Sequence, residues 1–237
     1  MKKIYSALLA LLLLASFPAL AQKGMYFGVA GTFQNVWITS QNNYGMIFMD
    51  YQKTFGAAGN LTVGYDFNNH VGIKIEVGYG QFGQKYTDHL GDSALSRQVK
   101  LNYLEIPIMF KYTSGGAVAR FYFAVGPQIN MLLSATQTYT MNGAAYDTIR
   151  TTVSGVKFNV SNESIKERWS SMDVMARLDL GVDITLVKHL ILEVGLKMGY
   201  GLMDLNSTDY RIKDHDGNIN PSHNVFGGLS VGLTYHL

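Results

Sequence analysis

His70-Val71-Gly72-Ile73-Lys74-Ile75-Glu76-Val77-Gly78-Tyr79-Gly80 is the stretch that decides the fold. Val71, Ile73, Ile75, Val77 and Tyr79 fall on one side of an extended chain, and Gly72, Lys74, Glu76, Gly78 and Gly80 on the other. A strict period of two over this length specifies a β-strand with one apolar face. Met172 to Leu186 repeats the pattern, setting Met172, Val174, Leu178, Leu180, Val182 and Ile184 against Asp173, Arg177, Asp179, Gly181 and Asp183. Leu190 to Leu202 does so again, with Glu193 and Lys197 among the residues of its polar side. Weaker alternation covers 25–39, 57–67, 99–112, 119–135 and 224–237. The count predicts eight strands, most longer than the ~5–6 residues usual in soluble sheets and close to the ~9–11 that cross a bilayer at a tilt.

The connections alternate in length. Asn68-Asn69, Thr113 to Ala117 and Val187 to His189 are tight, whereas polar segments near 40–56, 88–98, 136–171 and 203–223 are long. Short turns at one end and long loops at the other describe an all-β, eight-stranded antiparallel up-and-down transmembrane barrel. Both termini then fall at the short-turn, periplasmic end.

Alternation alone does not say which face points outward. A soluble lipocalin-like barrel would place the apolar face inside. Three observations favour the inverse. Gly72, Gly78, Gly181, Gly195 and Gly199 cluster on the charged face, where a narrow lumen needs room for long side chains. Charges of both signs occupy neighbouring strands; a turn centred near Lys188 puts Asp179 opposite Lys197. Tyr65, Phe67, Tyr79, Phe110, Tyr112, Tyr200 and Tyr235 fall near strand ends, as an aromatic girdle would.

The 237 residues include 19 Lys and Arg, 17 Asp and Glu, 25 Gly, 4 Pro and no Cys. Met1-Lys2-Lys3, the apolar run Ala7 to Phe17 and Ala19-Leu20-Ala21 predict a signal peptide over 1–21, leaving a barrel domain over 22–237. Removing Lys2 and Lys3 leaves 17 residues of each sign, which excludes the basic stripe of a nucleic-acid binder. Charged residues make up 15%, against the ~25% of an ordinary soluble domain. Without cysteine, disulfides, zinc–thiolate sites and thiol nucleophiles are excluded.

Tyr103-Leu104-Glu105-Ile106-Pro107-Ile108-Met109-Phe110-Lys111-Tyr112, followed by Phe121-Tyr122-Phe123-Ala124-Val125-Gly126-Pro127, resembles the PorT-like outer-membrane β-barrel family. The resemblance implies a Gram-negative outer-membrane barrel; its name-giving member is associated with protein secretion, a role not carried over to this chain. On physical grounds Pro107 and Pro127, on adjacent strands, mark a shared bulge or local opening. The last strand resembles the recognition strand of such barrels, although it ends in Leu237 rather than an aromatic.

The polar face assigns Lys74, Glu76, Glu105, Lys111, Arg120, Asp173, Arg177, Asp179, Asp183, Glu193 and Lys197 to the lumen, with Asp66 beside them. An eight-stranded barrel is just wide enough for its side chains to fill it, so a salt-bridged plug is expected rather than a pore. Asp88, His89, Asp92 and Ser93, and Asp214, His215, Asp216, Ser222 and His223, gather acid, base and hydroxyl residues in two loops. No spacing there fixes a catalytic geometry, and none dictates a metal site. No catalytic residue, cofactor or metal is therefore assigned.

Residues 146–159 still alternate and predict a projecting hairpin. Trp169 is either an interfacial tryptophan, the preferred reading, or a surface contact for a partner. Asp92-Ser93-Ala94 and Asp147-Thr148-Ile149 resemble an O-glycosylation acceptor pattern. The expected partners are outer-membrane lipid and an envelope or extracellular protein. The expected role is non-enzymatic: surface interaction, envelope integrity or an accessory part in secretion or assembly. A narrow channel is the first alternative and a lipid-modifying enzyme the second.

Overall fold

The computed structural model describes residues 24–40, 49–90, 93–114, 118–141, 144–145, 152–153, 156–157, 163–211 and 216–237. The predicted leader, most of the 146–159 hairpin, both glycosylation-like serine and threonine contexts at Asp92 and Thr148, and Asp214-His215 lie outside these residues. Eight long strands follow one another: β1 Met25–Ile38, β2 Phe55–Asp66, β3 Val71–Leu90, β4 Ser93–Thr113, β5 Ala119–Met141, β6 Met172–Val187, β7 Leu190–Gly201 and β8 Asn224–His236. Each is antiparallel to the next, and β1 pairs with β8 from Tyr26 opposite His236 to Ile38 opposite Asn224, so the sheet closes on itself. Closure pairs the backbone groups of every strand with a neighbour, the condition for crossing lipid with strands.

The apolar face points outward. Val29, Leu61, Val63, Ile75, Val77, Val125, Leu196, Leu229 and Val231 are exposed, while the polar partners of the alternation are enclosed. Rings gather along the rims: Tyr65 on Phe67, Tyr112 on Phe123 and Tyr235 beside His189 at the short-turn end, and Phe33 stacked on Phe55 at 5.4 Å at the other. A water-soluble carrier with an apolar lumen is excluded by this arrangement.

One expectation needs correction and another is met in part. Residues 88–90 and 93–98 are strand, not loop. β3 runs on to Leu90 and β4 begins at Ser93, with Leu90 opposite Ser93, and β5 continues alongside to Met141. These three strands project well past the ends of β1, β2 and β8. The short strand Met49–Gln52 borders the projection on the β3 side, and Glu163–Ser164 and Ala144–Ala145 border it on β5. Thr152–Val153 pairs with Val156–Lys157 in a separate ladder.

The alternation explains why the projection is stable. Within the membrane β4 places Leu104, Ile106, Ile108, Phe110 and Tyr112 outward and Glu105, Pro107, Met109 and Lys111 inward. Beyond Tyr103 the phase inverts: Tyr103, Leu101 and Val99 are buried inside, and Lys100 is exposed outside. β3 inverts likewise, from outward Tyr79 to inward Phe82 and Tyr86. The strand keeps its geometry while its surroundings change from hydrocarbon to water.

The prolines open the ladder locally, as expected, but make no bulge. Between β4 and β5 the pairing lapses at Ile108–Pro127 and Met109–Gly126, and between β3 and β4 at Glu76–Pro107 and Val77–Ile106, while the register on either side of each gap is unchanged. The single register shift between β4 and β5 falls at Asn102/Tyr103, where the alternation inverts.

Inward glycines give the long side chains their space. A Cβ at Gly64 would fall on the Tyr26 ring, one at Gly199 on the Phe226 ring, and one at Gly80 on the Glu105 carboxylate. Gly64→Val is therefore expected to lower the urea unfolding midpoint of the vesicle-reconstituted protein, by about 1–3 kcal/mol of stability. The loss should shrink in a Tyr26→Ala background. An equal loss in both backgrounds would mean that the ring is not what the substitution meets.

Candidate functional site

The interior is built in two storeys. The membrane-level storey centres on Glu76 of β3. Its carboxylate is 3.0 Å from Lys74 Nζ, 2.9 Å from Arg177 Nη2 on β6 and 3.4 Å from Lys197 Nζ on β7. β7 stands four strands from β3 in either direction, so the Glu76–Lys197 contact spans the lumen. Arg177 also donates through Nε to Asp179 Oδ1 at 2.8 Å and through Nη1 to Gln128 Oε1 at 3.0 Å. Lys74 reaches Asp179 Oδ2 at 3.5 Å. Asp179 does stand opposite Lys197 in the register, but each takes its partner elsewhere, across the lumen or along its own strand.

A second ionic cluster lies nearer the periplasm. Lys111 Nζ is 2.6 Å from Glu193 Oε1 and 2.8 Å from Asp183 Oδ2. Tyr122 lies between the clusters, its ring centre 4.6 Å from Lys111 Nζ and 5.9 Å from Lys74 Nζ. Such contacts add attraction where water is excluded. Arg120 remains half-exposed at the rim: it faces Asp183 in the register, yet Asp183 turns to Lys111. Asp66 lies at the same rim, its Oδ2 3.6 Å from His236 Nδ1.

Among the described residues, six buried carboxylates share the interior with four buried cations. The two without a cation within 4 Å are met by amides. Glu105 accepts from Gln128 Nε2 at 3.2 Å and Asn60 Nδ2 at 3.4 Å; Asp173 accepts from Asn224 Nδ2 at 3.0 Å. Neutral donors satisfy a buried carboxyl without adding charge to the lumen.

The upper storey is apolar. Val36, Ile38, Phe82, Tyr86, Val99, Leu101, Tyr103, Met175 and Phe226 from the barrel wall meet Ile165, Trp169 and Leu205 from the outer segments in one cluster. Phe82 is T-shaped to both Tyr103 and Phe226, at 5.6 Å each. Sequence reasoning gave no apolar interior. The signal was present in the inverted alternation of β3 and β4.

Trp169 is thereby corrected. It is 7% exposed, so it is neither an interfacial tryptophan nor an accessible anchor. The segment carrying it bonds back to β5 through Ile165 N and Ala135 O at 3.0 Å, which turns the indole over the barrel mouth.

Above that cluster, two short 3-10 turns, Lys166–Arg168 and Thr208–Tyr210, are stitched together. Trp169 bridges Asn206, Ser207 N donates to Arg168 O at 3.0 Å, and Ser207 Oγ donates to Glu167 O at 2.8 Å. Tyr210 donates to Glu167 Oε1 at 3.2 Å, and that carboxylate holds the phenol above its usual range. Arg211 is fixed by Asp204 at 2.8 Å. Between the turns lies an open cavity of about 570 Å³, lined by Lys166, Glu167, Ser170, Asn206, Thr208 and Arg211.

Of the loop residues weighed for catalysis, Asp214 and His215 lie outside the described residues, as do the side chains of Asp88, His89 and Ser93. His223 Nδ1 donates to the Met203 carbonyl at 3.1 Å, and its ring lies against Tyr200 at 5.2 Å. These contacts hold the imidazole in the wall of the outer segment. Among the described residues no group of three His, Asp or Glu side chains could hold a metal.

Removing Arg177 leaves Glu76 and Asp179 buried with less compensation, so Arg177→Ala should destabilise the folded barrel by about 3–5 kcal/mol. Arg177→Met combined with Asp179→Asn removes one charge of each sign and leaves Glu76 to Lys74 and Lys197, so it should recover much of that loss. Heat-dependent gel mobility and urea unfolding in lipid vesicles read both effects.

The model of the family described as "Outer membrane protein beta-barrel domain" matches residues 20–207. No curated protein matches the chain. Among solved structures, Neisserial surface protein A is similar at 10% identity, over 91% of this chain and 98% of that one, with a TM-score of 0.45. The attachment invasion locus protein Ail of Yersinia pestis is similar at 9% identity, over 90% of this chain and 100% of that one, with a TM-score of 0.40. The N-terminal β-barrel domain of OprF from Pseudomonas aeruginosa is similar at 14% identity, over 90% and 98%, with a TM-score of 0.37. With its closed eight-stranded barrel, outward apolar face and match over most of its length, the chain belongs to the outer membrane protein β-barrel family and resides in the outer membrane of a Gram-negative bacterium.

Proposed function

We propose that the protein is a non-enzymatic, non-conducting surface barrel whose outer segments form a fixed platform for an envelope or extracellular partner. The observation that carries this reading is the filled interior. Glu76 and its three cations cross the lumen at membrane level, and the Phe82–Tyr103–Phe226 cluster closes the space above them. An ion entering from either end would have to displace ion pairs or enter an apolar layer, and both cost several kcal/mol.

The stitched turns at 166–168 and 208–210 support a role in recognition. Their hydrogen bonds join two connections distant in sequence, so little order remains to be gained on binding. Kinship with the PorT-like members is supported by the resemblance of the Tyr103 to Tyr112 segment, whose Glu105 and Lys111 are both lumen groups. Envelope integrity or accessory work in secretion would use the same platform. The predicted signal peptide over 1–21 supplies the export step.

In planar bilayers the reconstituted protein should give no stepwise conductance. Discrete, reproducible steps would replace this reading by a channel. Grafting 163–171 and 202–223 together onto an unrelated eight-stranded barrel should transfer partner binding, whereas either segment alone should not.

A further inference from the structure

Just outside the apolar band, one flank of the barrel carries a group of lysines that the interior and the platform do not use. On β3 the last outward apolar residue is Tyr79, followed on the same face by Gln81, Gly83 and Lys85. On β4 it is Leu104, followed by Asn102, Lys100 and Gln98. Gly83 stands opposite Lys100 and Lys85 opposite Gln98, so the two lysines are diagonal neighbours on one outer face. Such diagonal positions are about 7–8 Å apart. Lys53 is drawn to the same place: Gln52 O accepts from Gln84 Nε2 at 2.8 Å, and Thr54 Oγ1 accepts from Lys85 N at 2.8 Å. Lys53, Lys85 and Lys100 are all exposed, and none has a carboxylate within 4 Å among the described residues. Asp50, farther out on this face, is already engaged.

The position of the group narrows its partner. Lys100 lies four residues past Leu104, about 10 Å farther along the membrane normal for a tilted strand. That is the outer headgroup layer, and a lysine stem can lower its ammonium a few ångströms towards the hydrocarbon. Between Lys100 and the band lies a notch of about 180 Å³ lined by Thr54, Phe55, Gln81, Gln98, Lys100 and Asn102. It opens where β2 begins and no longer covers β3. Phe55, stacked on Phe33, offers apolar contact beside it. Amide donors, three cations and an adjoining apolar wall suit an amphiphile with an anionic head.

We propose that Lys53, Lys85, Lys100 and the adjoining notch form a docking site for the phosphate-bearing headgroup of an outer-leaflet glycolipid, whose acyl chains lie against β2–β4. The charge is complementary, the height matches the headgroup layer, and the apolar face below continues without interruption to Ile75 and Ile108. Such a site would hold the projecting β3–β5 sheet at a fixed height over the membrane.

The test uses the full protein in neutral detergent micelles, with phosphorylated lipid A and its dephosphorylated form as probes. The wild type should bind the phosphorylated lipid about a hundred times more tightly. Each Lys→Gln change should remove about a fivefold share of that preference, and the triple variant should abolish it. The triple Lys→Arg variant should retain binding, and Lys188→Gln, at the periplasmic turn, should leave it unchanged. Heat-dependent gel mobility establishes that each variant is folded. Equal affinity of the wild type for the two lipids, or full retention in the folded Lys→Gln triple variant, would overturn the proposal. Displacement of the lipid by inorganic phosphate at comparable concentration would also overturn it, making the group a site for a free anion.

Discussion

The structure depends on one carboxylate. Glu76 meets Lys74, Arg177 and Lys197 in a space that an eight-stranded wall leaves barely wider than the side chains themselves. Closing a barrel satisfies the backbone but forces every second side chain inward. With the outward positions given to lipid, the inward ones carry the polar residues, and these must satisfy one another. Three cations around Glu76 do this across the full width of the lumen, so the network braces opposite walls as well as filling the space between them.

Charge alone would not close the outer end, where water could hydrate any ion pair. There the interior changes to Phe82, Leu101, Tyr103, Trp169 and Phe226, a small core of the kind found in water-soluble proteins. The two storeys reflect two solvents. In the membrane the hydrocarbon takes the apolar side chains and the lumen takes the polar ones. Above it, water takes the polar side chains and the apolar ones turn in. β3 and β4 pass through both regimes without interruption, and the register shift at Asn102/Tyr103 lies at the change. The stitched outer turns then rest on an apolar layer, which keeps them in place.

Much of the wall could be read from the sequence. The period-two runs at 71–79, 172–186 and 190–202 mark strands, and the tight turn at Lys188 places Asp179 opposite Lys197. The lumen-facing positions of Lys74, Glu76 and Glu105 follow from the same parity. The ionic partners do not follow, because a register relates only adjacent strands. Lys197 finds Glu76 on the opposite wall, and Asp179 finds Arg177 two residues away on its own strand. Trp169 was illegible for a related reason: its place depends on a segment folding back onto β5, a contact with no local signature.

By itself, then, the sequence determined that the chain forms antiparallel strands with one apolar face, which residues share each face, and where tight turns fix neighbouring registers. These follow from local geometry, since side chains alternate along any extended backbone. The tertiary structure alone decided which charges pair, that the outer interior holds an apolar cluster, and that residues 88–90 and 93–98 belong to a sheet instead of a loop. Those outcomes depend on distances across a closed barrel and on the level at which each strand leaves the membrane, and no stretch of the chain encodes either in isolation.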